Sequence, residues 1–179
     1  MNEDPLIGRC LEGDPEAFEM LVNRHQSGVL SLAWGMLRNR EEAEDAAQEA
    51  FVRAFSKLGD FDPARPFQPW LYSIVVHGCL DRLKKRRSER RFWERWRDIS
   101  PQPARGPAAE QRIEDAAVLA PLLDQLGANE RSALFLAAVE GYSASEIASV
   151  LGCSAGSARV RIHTAKKKIR NWLKRDDHA

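Results

Sequence analysis

The stretch YSASEIASVLGCSAGSARVRI, residues 142–162, decides how the second half of the chain folds. Ser143 is followed three residues later by Glu146, which is the capping-box pattern that begins a helix. Gly152 stands after the apolar run, where a left-handed residue ends a helix. Ser154 can cap a second helix directly afterwards. The stretch therefore predicts two helices around a tight turn, which is the helix-turn-helix arrangement.

The second of these helices has one apolar face and one basic face. The inward positions follow steps of four and three residues, namely Ala158, Ile162, Ala165, Ile169 and Trp172. The outward positions are Ser157, Arg159, Arg161, His163, Thr164, Lys166, Lys167 and Lys168. A helix fits the major groove of B-DNA, where side chains near its N-terminus reach base edges and lysines further along meet phosphates. The pattern favours DNA reading over the alternative, a solvated basic helix in a small bundle.

The chain in front of this motif is also predicted to be helical. Apolar residues recur at steps of three and four residues. One helix should begin at Asp14-Pro15, a second should cover Val29 to Leu37, and a third should begin after the cap Asn39. The Pro-rich segment ISPQPARGPAAE, residues 99–110, indicates a linker. The predicted fold is therefore all-α, with helical domains at 1–98 and 115–179 joined by a flexible linker over 99–114.

The third predicted helix carries an acidic outer face. Its inward stripe consists of Ala43, Ala47, Ala50, Ala54 and Leu58, and we expect Phe51 and Phe55 to widen it. Asp45, Gln48, Glu49 and Arg53 point elsewhere. Taken alone, this helix is explained as a solvated face with a Glu49–Arg53 pair four residues apart.

A Pro-rich loop follows, with the sequence GDFDPARPFQPW, residues 59–70. Phe61 and Phe67 lie in this loop, so we expect them to be exposed, whereas Trp70 and Tyr72 are expected in the core. Basic residues lie nearby in the sequence, namely Arg65, Arg82 and the run from Lys84 to Arg87. Aromatic rings interleaved with cations are typical of single-stranded nucleic-acid binding, because bases stack on the rings while cations follow the backbone.

Composition excludes several other classes of protein. The net charge is only +1, but the charges are segregated into one acidic and two basic segments, which indicates several partners, at least one of them polyanionic. No apolar run is long enough for a membrane span, and the first residues show no signal peptide, so we expect a cytoplasmic chain. Cys10, Cys79 and Cys153 form no zinc or disulfide pattern. Without a phosphate loop or ligand set, we expect neither a cofactor, nor a metal, nor an enzyme.

Three segments together resemble the extracytoplasmic-function (ECF) group of bacterial RNA polymerase sigma factors. The segment AEDAAQEAF is similar to that family's polymerase-binding segment, and WLYSIVVHGCLDRLKKRR is similar to its helix for the promoter minus-ten element. The segment LGANERSALFLAAVEGYSASEIASVLGCSAGSARVRIHTAKKKI resembles its domain for the minus-thirty-five element. The resemblance covers residues 15–98 and 115–174, with His77 and Gly78 where relatives often carry Asn-Thr.

The resemblance implies roles for residues at the matching positions. Asp45, Gln48 and Glu49 would contact the clamp coiled coil of core polymerase. The second domain would contact the polymerase flap. The minus-ten element, with an extruded base held in the loop, would be bound by Arg53, Phe61, Arg65, Phe67, His77, Arg82 and Lys84. The minus-thirty-five element would be bound by Ser157, Arg159, Arg161, His163 and Lys166. The family also implies an anti-sigma factor that covers the polymerase-binding surfaces.

Two other functions remain open at this point. A DNA-binding regulator that only shares the helix-turn-helix would leave the acidic helix and the aromatic loop unexplained, and it would normally need a dimer. A sigma-like decoy that occupies an anti-sigma factor without binding DNA should have lost its basic faces, and both basic segments are present here.

Overall fold

The computed structural model describes residues 4–97 and 120–176. Within these ranges the chain forms helices and no strands. The helices are α1 (Asp4–Leu11), α2 (Pro15–Leu37), α3 (Arg40–Ser56), α4 (Phe67–Arg97), α5 (Ala120–Asp124), α6 (Ala128–Ala138), α7 (Ala144–Leu151) and α8 (Ala155–Asp176), with a 3₁₀ turn (Leu58–Asp60) after α3. The all-α prediction is confirmed, and the predicted linker at 99–114 lies outside the described residues.

Helix α2 joins two segments that the sequence analysis predicted as separate helices. Asp14 caps it by accepting hydrogen bonds from the backbone nitrogens of Glu16 and Ala17, at 2.9 and 3.3 Å. The buried stripe then continues without a break because His25 occupies a core position, only 6% exposed. Its ring packs 5.5 Å from the ring of Phe67. Because His25 is polar, the apolar pattern in the sequence is interrupted there, and it predicted two helices where the structure has one.

Helix α3 packs closely because its buried face is made of alanines. The predicted cap is confirmed, since the Asn39 side chain accepts a hydrogen bond from the backbone nitrogen of Glu42 at 2.9 Å. Small side chains let α3 approach both α2 and α4. The expectation that Phe55 widens this buried stripe is wrong, because Phe55 is 54% exposed, although its ring packs edge-to-face with that of Phe18 at a centroid distance of 4.8 Å.

The helix-turn-helix is confirmed in detail. Ser143 and Glu146 form the reciprocal capping box at the start of α7, and Gly152 ends α7 with φ of 59°. Ser154 accepts a hydrogen bond from the backbone nitrogen of Ser157 at 3.1 Å, so it caps α8 as predicted. Ala158 and Ala165 are fully buried on the inner face of α8.

The two halves of the chain share one hydrophobic core. Helix α6 packs on α2, and α7 packs on α4. Leu136 of α6 and Ile147 of α7 are fully buried in the same cluster as Leu32 and Val75 of the first half. Burying each such side chain stabilises the fold by about 1.5–3 kcal/mol. Helix packing therefore holds the helix-turn-helix against α2 and α4.

Candidate nucleic-acid interface

A cleft of about 400 Å³ opens between α3, the 3₁₀ turn and α4. Its walls combine two cations, one carboxylate, an indole ring and an imidazole ring. The lining residues are Arg53, Lys57, Asp60, Trp70, Ser73, Ile74 and His77. The volume lies in the range of small-molecule sites, and the mixture of an aromatic surface with cations and hydrogen-bonding groups suits one nucleobase with its phosphate.

Helical spacing brings the lining residues together. Trp70, Ser73, Ile74 and His77 follow steps of three, one and three residues, so they share one face of α4. Arg53 and Lys57 lie four residues apart at the end of α3 and close the opposite wall. Of this set, the sequence analysis identified only Arg53 and His77 as DNA-binding residues.

The predicted exposure of Phe61 and Phe67 is wrong. They are only 6% and 3% exposed, and they lie behind Trp70 rather than among the residues that line the cleft. Their rings lie 5.6 Å apart, and both pack on Trp70, at 5.0 and 5.5 Å. Burial of large aromatic rings is favourable, and edge-to-face packing adds to it, so the loop folds its phenylalanines inward. Trp70 is half-buried with part of its indole facing the cleft, and Tyr72 is buried as expected.

His77 has a fixed orientation at the rim of the cleft. Its Nδ1 lies 2.6 Å from the backbone oxygen of Ser73. A carbonyl oxygen can only accept, so Nδ1 carries the proton, and Nε2 of the neutral ring is left as a hydrogen-bond acceptor. The Ser73 hydroxyl donates to the backbone oxygen of Trp70 at 2.7 Å. His77 therefore presents an acceptor at the rim, while the Ser73 hydroxyl is occupied.

The acidic face of α3 adjoins this cleft. Asp45, Gln48 and Glu49 are all exposed, as predicted. Glu49 lies 3.6 Å from Arg53, which is the predicted intrahelical pair, and 3.1 Å from Arg82 of α4. The carboxylate thus connects the predicted polymerase-binding set with two of the predicted DNA-binding residues.

Two apolar residues extend the acidic face, and the sequence analysis missed their exposure. Val52 is 69% exposed and Phe55 is 54% exposed, on the side of α3 that carries Gln48. Large apolar side chains next to acidic ones are typical of a protein-binding surface. We call Asp45, Gln48, Glu49, Val52 and Phe55 the α3 face.

The other predicted minus-ten residues lie around the cleft rather than in it. Arg65 is exposed in the loop, 3.5 Å from Asp62, and Lys84 is exposed on α4, 3.2 Å from Asp81. Such exposed ion pairs contribute little to stability, so their cations can exchange these partners for phosphates. Arg82 is held more firmly, with 26% of its side chain exposed beside Glu49.

Helix α8 exposes most of the side chains predicted for base and phosphate contacts. Ser157, Arg159, His163 and Lys166 are exposed. Arg161 differs, because it is half-buried and its Nη1 donates to the Sγ of Cys153 at 3.4 Å. Lys168, also predicted to point outward, donates to both carboxylate oxygens of Glu130, at 3.0 and 2.7 Å.

The sequence analysis did not count Val160 as a binding residue, although it stands at the centre of the outer face of α8. It is 64% exposed and lies two residues, about 200° around the helix axis, from the buried Ala158. The sequence shows an apolar residue amid cations, but only its exposure on the folded helix identifies the direction in which it points.

Other kinds of site find no support in the described residues. No helix in 4–97 or 120–176 has the length and apolar character that a membrane span requires. Within the same ranges no three His, Cys, Asp or Glu side chains are grouped so as to hold a metal ion. Burial raises the pKa of the Cys79 thiol to about 12, and burial also raises the pKa of Cys10, which keeps both thiols protonated and unreactive at neutral pH.

Comparisons with known proteins match the two halves of the chain to two family descriptions. The family description Sigma-70 region 2 matches residues 21–89, which include the α3 face and the cleft. The description Sigma-70, region 4 matches residues 118–169, which include the helix-turn-helix. The chain is 34% identical over 160 residues to the ECF RNA polymerase sigma factor SigE of Mycolicibacterium smegmatis, an alignment that covers 88% of this chain but only 62% of SigE.

Two further relatives align over almost their whole length. The RNA polymerase sigma-H factor of Pseudomonas aeruginosa is 33% identical over 180 residues, which cover 93% of this chain and 91% of the relative. The solved structure of CnrH in complex with the cytosolic domain of CnrY matches with a TM-score of 0.74 at 28% identity, over 98% of this chain and 99% of the matched chain.

Proposed function

Because this chain belongs to the ECF group of the sigma-70 family of RNA polymerase sigma factors, we propose that it starts transcription through three separate surfaces. The α3 face binds the clamp coiled coil of core RNA polymerase. The cleft beside it holds a base extruded from the minus-ten element. The outer face of α8 reads the minus-thirty-five element, and the second domain meets the polymerase flap. Residues 1–98 and 115–179 are the two functional domains in this proposal.

The cleft is the observation that carries this proposal. Extrusion of a base costs a few kcal/mol, which contacts in a pocket must offset. Trp70 offers a stacking surface, and stacking of one base contributes about 1–3 kcal/mol. Arg53 and Lys57 can meet the phosphates, and the Nε2 acceptor of His77 can receive a hydrogen bond from an exocyclic amine. Phe61 and Phe67 support the indole from below, so we assign them a positioning role.

Protein partners follow from the α3 face. Its carboxylates suit a basic partner surface, and Val52 and Phe55 add apolar area that water covers poorly. CnrH was solved with the cytosolic domain of CnrY, and we propose that this chain likewise has an anti-sigma partner, which covers the α3 face and keeps polymerase away. Binding to RNA polymerase would support a cytoplasmic location for this chain.

Size-exclusion chromatography with purified bacterial core RNA polymerase tests the first surface. We expect a one-to-one complex at moderate salt. The promoter sequence that the resulting holoenzyme recognises can then be selected from a random DNA pool. A folded chain that forms no complex would contradict the proposal and favour the decoy or the stand-alone regulator. DNA binding by the full chain would then distinguish these two, because only the regulator binds DNA.

Val160 should read a thymine methyl group in the selected upstream element. A valine side chain cannot hydrogen-bond to a base edge, and the thymine methyl is the apolar feature of the major groove. Replacing that thymine with uracil removes one methyl group, so binding should weaken about fourfold, from about 0.8 kcal/mol per buried carbon. Val160→Ser should abolish the difference between thymine and uracil in a competition assay.

Val139→Ser is the matched control for this prediction. Val139 is 67% exposed just after the end of α6 and is not part of α8. This variant should keep the wild-type ratio of thymine to uracil affinity. An unchanged ratio in Val160→Ser as well would show that another side chain contacts the methyl group.

A further inference from the structure

The turn of the helix-turn-helix carries a contact between a sulfur atom and a guanidinium group. Cys153 lies between Gly152, which ends α7, and Ser154, which caps α8. The Sγ of Cys153 accepts a hydrogen bond from Nη1 of Arg161, at 3.4 Å. Cys10 and Cys79 are buried, whereas Cys153 is half-buried, so its sulfur is close to the protein surface.

The backbone of the turn holds this sulfur in place. Gly152 has a left-handed φ of 59°, and the backbone nitrogen of Cys153 donates to the backbone oxygen of Ala148 at 3.0 Å. Side chains of an α-helix lean toward its N-terminus, so the long Arg161 side chain reaches back from the second turn of α8 to the sulfur. The contact therefore ties a flexible side chain to a fixed part of the motif.

Arg161 lies on the flank of α8 rather than at the centre of its outer face. It follows the buried Ala158 by three residues, which places it about 60° from Ala158 around the helix axis, whereas Val160 is about 200° away. Arg161 is accordingly half-buried, while Arg159 is exposed. When a helix lies in the major groove, the centre of its outer face meets base edges and its flanks meet the phosphates along the groove. This position favours a phosphate contact for Arg161.

A guanidinium group can serve the sulfur and a phosphate at the same time. It carries five N–H donors in a planar fork, whereas a thiol sulfur is only a weak acceptor. A phosphate oxygen accepts a stronger, charge-assisted hydrogen bond. The sulfur therefore directs the arginine without competing with DNA for it. A side chain that is ordered before binding also loses less conformational entropy when DNA binds.

We propose that Cys153 is a positioning residue for DNA binding, whose sulfur holds Arg161 on the flank of α8 for one phosphate of the minus-thirty-five element. The sulfur contact follows from the geometry of the turn, whereas its effect on DNA binding rests on the proposed function. Cys153 itself does not touch DNA in this arrangement. The proposal separates Arg161, which contributes affinity, from Val160 at the centre of the outer face, which contributes sequence preference.

A double-mutant cycle tests the positioning role, with binding of a selected promoter measured by competition for the complex of the full chain and core polymerase. Cys153→Val fills the same space without an acceptor, and we expect about 2- to 10-fold weaker binding. In an Arg161→Ala background the same change should have no effect. Cys153→Ser keeps an acceptor and should bind within about twofold of the wild type.

Arg159→Ala provides the matched background for this cycle. Arg159 is an exposed cation two positions from Arg161. Cys153→Val should therefore weaken binding in the Arg159→Ala background as much as in the wild type. An equal loss in the Arg161→Ala background as well would show that Cys153 acts through packing of the turn, and it would overturn the proposal.

The salt dependence of binding tests the phosphate contact. Arg161→Ala should reduce the slope of log K against log salt by about 0.9, the value for one neutralised phosphate. It should also weaken binding about equally for all promoter sequences. An unchanged slope, with a loss confined to one base pair, would make Arg161 a base contact and overturn the assignment to phosphate.

Mobility of the Arg161 side chain tests the sulfur contact without DNA. Nitrogen-15 relaxation of Arg161 Nε in the free full-length chain should show larger motion in Cys153→Val than in the wild type and in Cys153→Ser. Equal motion in all three would overturn the positioning role, provided that circular dichroism shows each variant folded. If the motion changes as expected but no form of the chain binds polymerase or promoter DNA, the proposed function fails while the sulfur contact stands.

Discussion

Charge reversal of Asp45 and Glu49 should abolish the complex between this chain and core RNA polymerase. Both carboxylates are exposed on the α3 face. Placing like charges against a basic partner costs several kcal/mol, and 1.4 kcal/mol is a factor of ten in affinity. We therefore expect Asp45→Lys/Glu49→Lys to weaken binding by about 100-fold or more, measured as loss of co-elution and as the Kd at moderate salt.

The fold should survive this change. Glu49 contacts Arg53 and Arg82, but all of these pairs are at least partly exposed, and such pairs contribute about 0–1 kcal/mol. Asp45→Lys alone leaves the Glu49 pairs intact and should still weaken binding. Glu12→Lys/Glu19→Lys is the matched control, because it makes the same change in net charge at exposed positions outside α3. Equal affinity of the α3 variant and this control would contradict the assignment of the clamp-binding surface.

The parts of the fold that were predictable from sequence are those decided by local hydrogen bonds. Asn39, Ser143 and Ser154 cap their helices, and Gly152 ends α7, because a cap needs only atoms within about four residues. The exposed α3 carboxylates and the outer face of α8 were predictable for a related reason. The period of an amphipathic helix fixes which side chains share a face.

Contacts between distant segments were not predictable. His25 fills a core position through its ring contact with Phe67, 42 positions along the chain, so its polarity was misleading. Phe55 is exposed because the alanines of α3 already occupy the contacts with α2 and α4. The contact of Glu140 with Gln68 and Tyr72 joins residues about 70 positions apart, and nothing in the local pattern of either segment indicates it.

The cleft could be predicted only in part for the same reason. It combines side chains from α3, the 3₁₀ turn and α4. Aromatic and basic residues in the loop predict a nucleic-acid surface at this place in the chain, and the cleft lies beside that loop. Which rings face the solvent depends on how the loop closes, and the loop closes by burying Phe61 and Phe67 under Trp70.

Phe67→Ala should destabilise the chain strongly. Phe67 is 3% exposed and packs on the rings of His25, Phe61 and Trp70. A buried Phe→Ala change costs about 3–5 kcal/mol, a large part of the 5–15 kcal/mol that stabilises a typical domain. For a chain of this size the loss corresponds to a decrease in Tm of about 6–20 °C, measured by circular dichroism.

Phe92→Ala separates this structural role from direct contact with DNA. Phe92 is 55% exposed on α4, so the same truncation there should lower the Tm by far less. If Phe67 instead stacked on an unpaired base, its removal would leave the Tm close to that of Phe92→Ala and would weaken minus-ten binding alone. If Phe67→Ala instead loses much stability and also binds DNA weakly, the weaker binding follows from a displaced Trp70, because Phe67 packs on its ring. Trp70, Arg53 and His77 then remain as the groups that we propose to meet the extruded base.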